Sequence, residues 1–263
     1  MLFRNDGDAV IAISQPSHAW LSGQIVRAWG RSDFLPPEPF EEVCLGAALH
    51  DIGWLEWEAA PTLNAETRLP HSFHQLGPQD HTRLWTRGVR DACTFGLYAG
   101  LLVSLHADTI YGRYFNFDKA SPEDAATVRT FLDGQHAFQR EAMAKLAAQP
   151  RYAACATEVV VDRQRRLIGA ADHMSLAICG GILDEKRIPK VPKGEEGEVD
   201  LLLRAPQGRP DQLTCTPWPF PADRVSLLCE GRRLSGQFDD EAAMRAALRA
   251  APSVTLVTDL RPG

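Results

Sequence analysis

The sequence has no run of apolar residues approaching the ~20 needed to cross a bilayer as a helix. Its longest early apolar run, Ala9 to Ile13, is too short for a secretory signal and has neither a basic flank nor a cleavage site. No two of the six cysteines, Cys44, Cys93, Cys155, Cys179, Cys215 and Cys229, lie within three residues of each other. That spacing excludes CxxC metal and redox motifs, and reduced thiols in a cytoplasm are expected. Basic residues are in the minority, 28 against 34 acidic, for a net charge of -6. A nucleic-acid partner is therefore not expected, because backbone binding needs a basic stripe, and no membrane partner is expected either. Repeats and low-complexity tracts are also absent. What remains is 263 residues, 44% hydrophobic and 24% charged, the composition of an ordinary globular chain. That length suits one large domain, or a domain with a small appendage.

Residues 8–14 read as a strand ended by Gln15-Pro16. His18, Leu21, Ile25 and Trp29 then recur at helical spacing, with Ser17 as the expected cap and Gly30 as the stop. Residues 40–58 read as one buried helix interrupted or ended at Gly53, and residues 59–78 as a long loop. Further helices are expected from Pro78, from Leu97 to Ile110, from Ser121-Pro122 to Gln149, and from Ala156 to Cys179. Residues 188–198, with two prolines and two glycines, read as a linker. Strands are expected at Asp200–Arg204, Gln212–Thr216, Arg224–Cys229 and Ser253–Thr258, with a helix at Asp240–Ala250. The fold expected is mainly α: a helical domain over 1–187, a linker, and a small α+β subdomain over 199–263. The N-terminal strand should join that subdomain's sheet, since its backbone groups need partners.

The histidines are concentrated before the C-terminal part, and none follows His173. His50-Asp51 sits in the apolar context Leu49-His50-Asp51-Ile52-Gly53. Burying an ionised carboxylate costs several kcal/mol unless it is paired or bound to a cation. Imidazole and carboxylate together suit Fe, Mn, Ni, Co or Zn. An earlier helical His18 and a later helical Asp172, within Gly169-Ala170-Ala171-Asp172-His173, complete a His, His-Asp, Asp order.

That order resembles the HD superfamily of metal-dependent phosphohydrolases over roughly residues 17–180. Gln15-Pro16-Ser17-His18-Ala19-Trp20, His50-Asp51-Ile52-Gly53-Trp54 and Pro217-Trp218-Pro219-Phe220 together resemble an uncharacterised bacterial HD-related family. The resemblance implies a helical bundle around a metal held by His18, His50, Asp51 and Asp172. Relatives with two metals add two intervening histidines, and His81 and His106 match in order, with Asp51 bridging. His71 and His74 compete for the His81 role. Three features depart from the family's catalytic patterns. Trp54 stands where active relatives often have Lys or Glu, His106 is followed by Ala107 rather than His, and there is no Gly-Tyr-Pro.

The expected function is hydrolysis of a small-molecule phosphate ester, such as a nucleotide, by metal-activated water, with one or two divalent transition-metal ions. Candidate acid-base groups are His106, Glu58 and Asp108. Two alternatives accompany it: an HD-type mixed-valent di-iron oxygenase cleaving a C–C or C–P bond, and a degenerate HD domain that binds a ligand. His136 and His173 read as structural or exposed, Trp54 and Trp57 as packing, and Arg83, Arg87 and Arg90 as a solvated face. Pro217-Trp218-Pro219-Phe220 reads as the element that docks the small subdomain. The oligomeric state is not defined by the sequence.

Overall fold

Two adjacent strands begin the chain, β1 (Leu2–Asp6) and β2 (Ala9–Ile13), in a computed structural model that describes residues 1–263. Helices α1 (Gln15–Ala28), α2 (Phe40–Leu49) and the short α3 (Leu55–Ala59) follow. Next come α4 (Pro78–Cys93), α5 (Leu97–Tyr114), α6 (Pro122–Ala147) and α7 (Glu158–Gly180). The remainder comprises β3 (Glu185–Lys193), β4 (Gly197–Arg204), β5 (Gln212–Thr216), β6 (Val225–Ser235), α8 (Glu241–Ala250) and β7 (Ser253–Pro262). All seven strands form one sheet in the order β1-β2-β6-β7-β5-β4-β3. Neighbours are antiparallel except β5 and β7, which are parallel. No helix is long and apolar enough to cross a membrane.

This sheet corrects the expectation of a mainly helical, HD-type protein with a small appendage, and it is not an all-helical protein. The chain is a substantial α/β fold. The two strands that sequence reasoning missed, β1 and β3, are the two edges of the sheet. Edge strands tolerate the charges and prolines that central strands exclude. Residues 188–198 are accordingly not a linker but lie in the β3–β4 hairpin, which turns near Gly194 at φ +66. A register shift between Ile188 and Val191 accommodates Pro189 and Lys190. The N-terminal strand does pair with the C-terminal segment, β2 running beside β6 from Ala9↔Ser235 to Ala12↔Arg232.

Two helix readings also change. The cap of α1 is Ser14, whose Oγ accepts from the Ser17 N–H at 3.2 Å. Ser17 instead donates its hydroxyl to the Glu230 carbonyl of β6 at 2.7 Å. The helix expected over 40–58, weakened or ended at Gly53, is two helices separated by His50, Asp51 and a 3-10 turn at Ile52–Trp54, so the break takes in Gly53 but begins earlier, after Leu49. The Ser121 cap of α6 is present, accepting from Asp124 N–H at 3.0 Å.

A 38-residue apolar cluster unites the layers. Leu21, Ile25, Leu101 and Ile168 come from the helices, and Ile188, Leu203, Leu227 and Leu260 from the strands. The helices and the sheet therefore share one core. Pro219 and Phe220 fasten a sheet-side loop to the end of α1. Pro219 O accepts from Gly30 and Arg31 N–H, and the Phe220 ring meets Trp29 at 5.6 Å.

Candidate metal centre

His18 lies one turn inside α1, His50 and Asp51 follow the last turn of α2, His106 is in α5 and Asp172 in α7. Each is at most 7% exposed. Glycines let these elements approach closely. A Cβ on Gly23 would sit 2.8 Å from Ala48 Cβ, so α1 and α2 touch nearly backbone to backbone. A Cβ on Gly53 would fall 2.0 Å from the Leu84 carbonyl, which presses the turn after Asp51 onto α4. The ring centroids of His18 and His50 end 5.1 Å apart, and those of His50 and His106 4.7 Å apart.

Two overlapping groups have ligand atoms mutually within 4.8 Å: His18, His50 and Asp51, and His50, His106 and Asp172. His18 Nε2 is 2.8 Å from Asp51 Oδ2. His50 Nε2 is 3.5 Å from Asp172 Oδ1 and 3.6 Å from Asp51 Oδ2. His106 Nε2 is 3.5 Å from Asp172 Oδ2. These longer separations are ion-pair distances rather than good hydrogen bonds. Donors held ~2.1 Å from one cation lie about 3 Å apart, so the spacing suits coordination.

Hydrogen bonds behind the rings fix their tautomers. His50 Nδ1 donates to the Ala47 carbonyl at 2.8 Å, so in the neutral ring Nε2 carries the free lone pair. Ser175 Oγ donates to the Asp172 carbonyl at 2.8 Å and so accepts from His18 Nδ1 at 2.9 Å. Ser22 adds a second hydroxyl 2.9 Å from Ser175. His18 Nε2 then faces a carboxylate with its lone pair, an arrangement that requires a proton or a cation between them. His50 Nε2 and His106 Nδ1 have no hydrogen-bond partner although both are buried. Two carboxylates among three neutral imidazoles would be balanced by one divalent ion.

The electrostatics have the same source. Burial drives the His50 pKa down, but Asp51 and Asp172 outweigh it and raise it to about 9. Burial likewise pushes Asp51 up, yet the neighbouring His50 and His18 hold it below the ordinary carboxylate value. Asp172 is held well below that value against its own burial, by His106 and His50. Burial depresses His106.

Three expected site residues lie elsewhere. Glu58 would share the helical face of Asp51 only if one helix ran through both, and the break at the His-Asp turn removes that alignment. Its Oε1 accepts from Gln15 N–H at 2.9 Å and pairs with the Met1 amine at 3.3 Å. Asp108 is two residues beyond His106, about 200° around α5, and meets His136 at 3.2 Å and Gln139 at 2.9 Å. His81 faces the cavity rather than the ligand cluster. Its Nε2 is 2.9 Å from the Phe73 carbonyl, and its ring meets Trp54 edge-on at 5.2 Å. Of its competitors, His71 bonds Thr62 and His74 lines the cavity. Sequence reasoning missed Gln15, which donates to Asp51 Oδ2 at 3.1 Å, and Ser175. Ser175 lies three residues after Asp172, a helical spacing that could have flagged it.

The cluster opens into a cavity of about 600 Å³ bounded by α4, α5, α7, β3 and the segment before α4. His173 and Lys186, neither singled out from the sequence as a site residue, line it.

Fold and site together define an α/β protein with a buried His/Asp centre able to hold a metal ion. The chain belongs to the family described as a protein of unknown function (DUF3891), whose family model matches residues 1–236. That span takes in every residue of the centre and stops before α8 and β7. No curated protein and no solved structure matches the chain.

Proposed function

We propose that this protein is a metal-dependent hydrolase of small-molecule phosphate esters, related to the HD phosphohydrolases through its helical segment. The observation that carries the reading is the convergence of His18, His50 and Asp51 with His50, His106 and Asp172 as two buried groups sharing His50, with the His18 and His50 tautomers set from behind so that their Nε2 lone pairs face carboxylates. His18, His50, Asp51 and Asp172 would hold the ion, and their donor set suits Mn, Fe, Co, Ni or Zn. A divalent ion there supplies Lewis acidity, which lowers the pKa of a bound water and neutralises charge developing on the phosphoryl group.

The chain's own groups do the rest. His106 faces the same spot through Nε2 and is the group to receive the proton of the attacking water at that atom. Gln15 donates to Asp51 Oδ2, the oxygen that faces His18 Nε2 and His50 Nε2, and so holds the carboxylate in place. Trp54 and Trp85 wall the cavity beside the cluster and limit water around the reacting phosphate. The di-iron oxygenase alternative rested on a six-ligand set that included His81, and His81 is engaged with Phe73 O instead. The test is elemental analysis of protein purified without chelators, followed by a phosphate-ester screen. About one ion per chain, lost together with phosphatase activity in Asp51→Ala, is the expected result. Metal content unchanged in that variant would refute the assignment.

A further inference from the structure

The cavity is longer and less polar than a phosphate alone requires. His106, Ile110 and Tyr114 line it at successive turns of α5, a span of about 12 Å. The cluster lies at the His106 end, and Tyr114, 65% exposed, lies at the other. The apolar lining includes Trp54, Trp85, Ile110, Phe115 and Leu176.

Polar groups along this wall are few. Apart from the cluster, the lining offers His74, His81, Tyr111, His173 and Lys186 as polar side chains, besides Tyr114 at the mouth. The one amide, Gln15, has its NH2 committed to Asp51, and His81 Nε2 is committed to Phe73. No Asn, Ser, Thr, Glu or Arg lines the cavity, and its only aspartates are Asp51 and Asp172 of the cluster. A sugar or nucleobase presents many donors and acceptors, and burying them without partners is costly. This wall offers fewer partners than a ribose and a base edge together present.

Outside the cluster, three polar atoms of lining residues are buried without a partner: Gln15 Oε1, an acceptor, His173 Nδ1, whose role depends on the tautomer, and the hydroxyl of Tyr111, which sits on the α5 wall itself. Tyr111 is 4% exposed, its ring packs on Phe131 at 5.5 Å, and its hydroxyl is buried without a hydrogen bond. Burial pushes the phenol's pKa upward, so it is a neutral donor. At the rim, Lys186 of β3 is exposed and forms no ion pair.

We infer that the site takes an amphipathic phosphomonoester: a phosphate at the cluster on an apolar, ring-bearing body along α5, with one acceptor met by Tyr111 Oη. This rests on the hydrolase reading and narrows it, since it excludes nucleotides as the preferred substrates.

The test is calorimetric binding to the full chain carrying its purified metal. The probes are 2-naphthylmethylphosphonate, the 5′-methylenephosphonate of adenosine, and inorganic phosphate. The naphthyl probe is expected to bind at least tenfold tighter than either of the others. Adenosine phosphonate binding as tightly, or no naphthyl binding, would overturn the inference. Ile110→Asn should weaken the naphthyl probe about tenfold and leave inorganic phosphate within about twofold; an equal loss on both would also overturn it. Turnover separates the two proposals. Tight naphthyl binding with no hydrolysis of 2-naphthylmethyl phosphate would keep the cavity inference and sink the hydrolase. Hydrolysis favouring nucleotides would do the reverse.

Discussion

The Nδ1–H of His18 is committed to Ser175, and the Ser175 hydroxyl to the Asp172 carbonyl. Removing that hydroxyl frees the ring to turn or to change tautomer. Ser175→Ala should therefore lower metal affinity roughly 10–100-fold with the fold intact, read by competition with a chromophoric chelator. Unchanged affinity would mean that the serine does not orient the ligand. Proton balance gives a second expectation at this scale. Without a cation, His50 is raised from 6.5 to about 9, so it carries a proton at pH 7. Its contribution to stability is then fully present below pH 6.5 and is lost as pH rises through about 9. An arriving ion must displace that proton. Titrating Zn²⁺ at pH 7 in buffers of different ionisation enthalpy should reveal release of at least about one proton per ion. No dependence on the buffer would contradict this. The ligand types were legible in the sequence because a His-Asp doublet in an apolar stretch is costly without a cation. The supporting Gln15 was not, because a hydrogen bond behind a ligand leaves no mark in composition, and Ser175 was marked only by its helical spacing from Asp172.

At the scale of elements, the turn after Asp51 depends on two facing glycines. A Cβ on Gly53 would strike the Leu84 carbonyl, and one on Gly88 would lie 3.0 Å from Gly53 N. Gly53→Ala must push α4 away from the turn. It should cost about 3 kcal/mol, measured by urea denaturation, and weaken metal binding with it. A neutral Gly53→Ala would show that the contact is soft. Ser14→Ala removes the α1 cap and should cost about 1 kcal/mol in the same assay. The same turn explains why Glu58 lies off the site: Gly53 marked an interruption in the apolar pattern of 40–58, but not the change of direction that the approach to α4 imposes on α3. Helix starts with a capping side chain and a proline, as at Ser121-Pro122, were readable. The prolines of β3 were not, since an edge strand and a linker share that composition.

For the whole molecule, the shared 38-residue core ties the helices that carry the ligands to the sheet. Metal binding should therefore stabilise the entire chain. At a free ion concentration 100 times Kd, linkage gives about 2.7 kcal/mol. For a chain of this size that is roughly 5–10 °C in Tm, lost on adding chelator and visible by calorimetry. A Tm indifferent to chelator would count against an ion seated in this core. The helical segment of the fold was visible from periodicity, whereas the extent of the sheet was not, because its edges are charged and its strands come from both ends of the sequence.

The order of the strands also bears on synthesis. β5 and β6 follow one another in sequence, yet β7 lies between them, parallel to one and antiparallel to the other. While the chain is leaving the ribosome, β1-β2-β6 and β3-β4-β5 can each assemble, but they cannot join until residues 253–262 emerge. Until then each half-sheet presents an open edge on which a neighbouring nascent chain could add a strand. Chaperone demand should therefore be greatest in the last moments of translation, and a stop codon before β7 should yield aggregate rather than a shorter working protein.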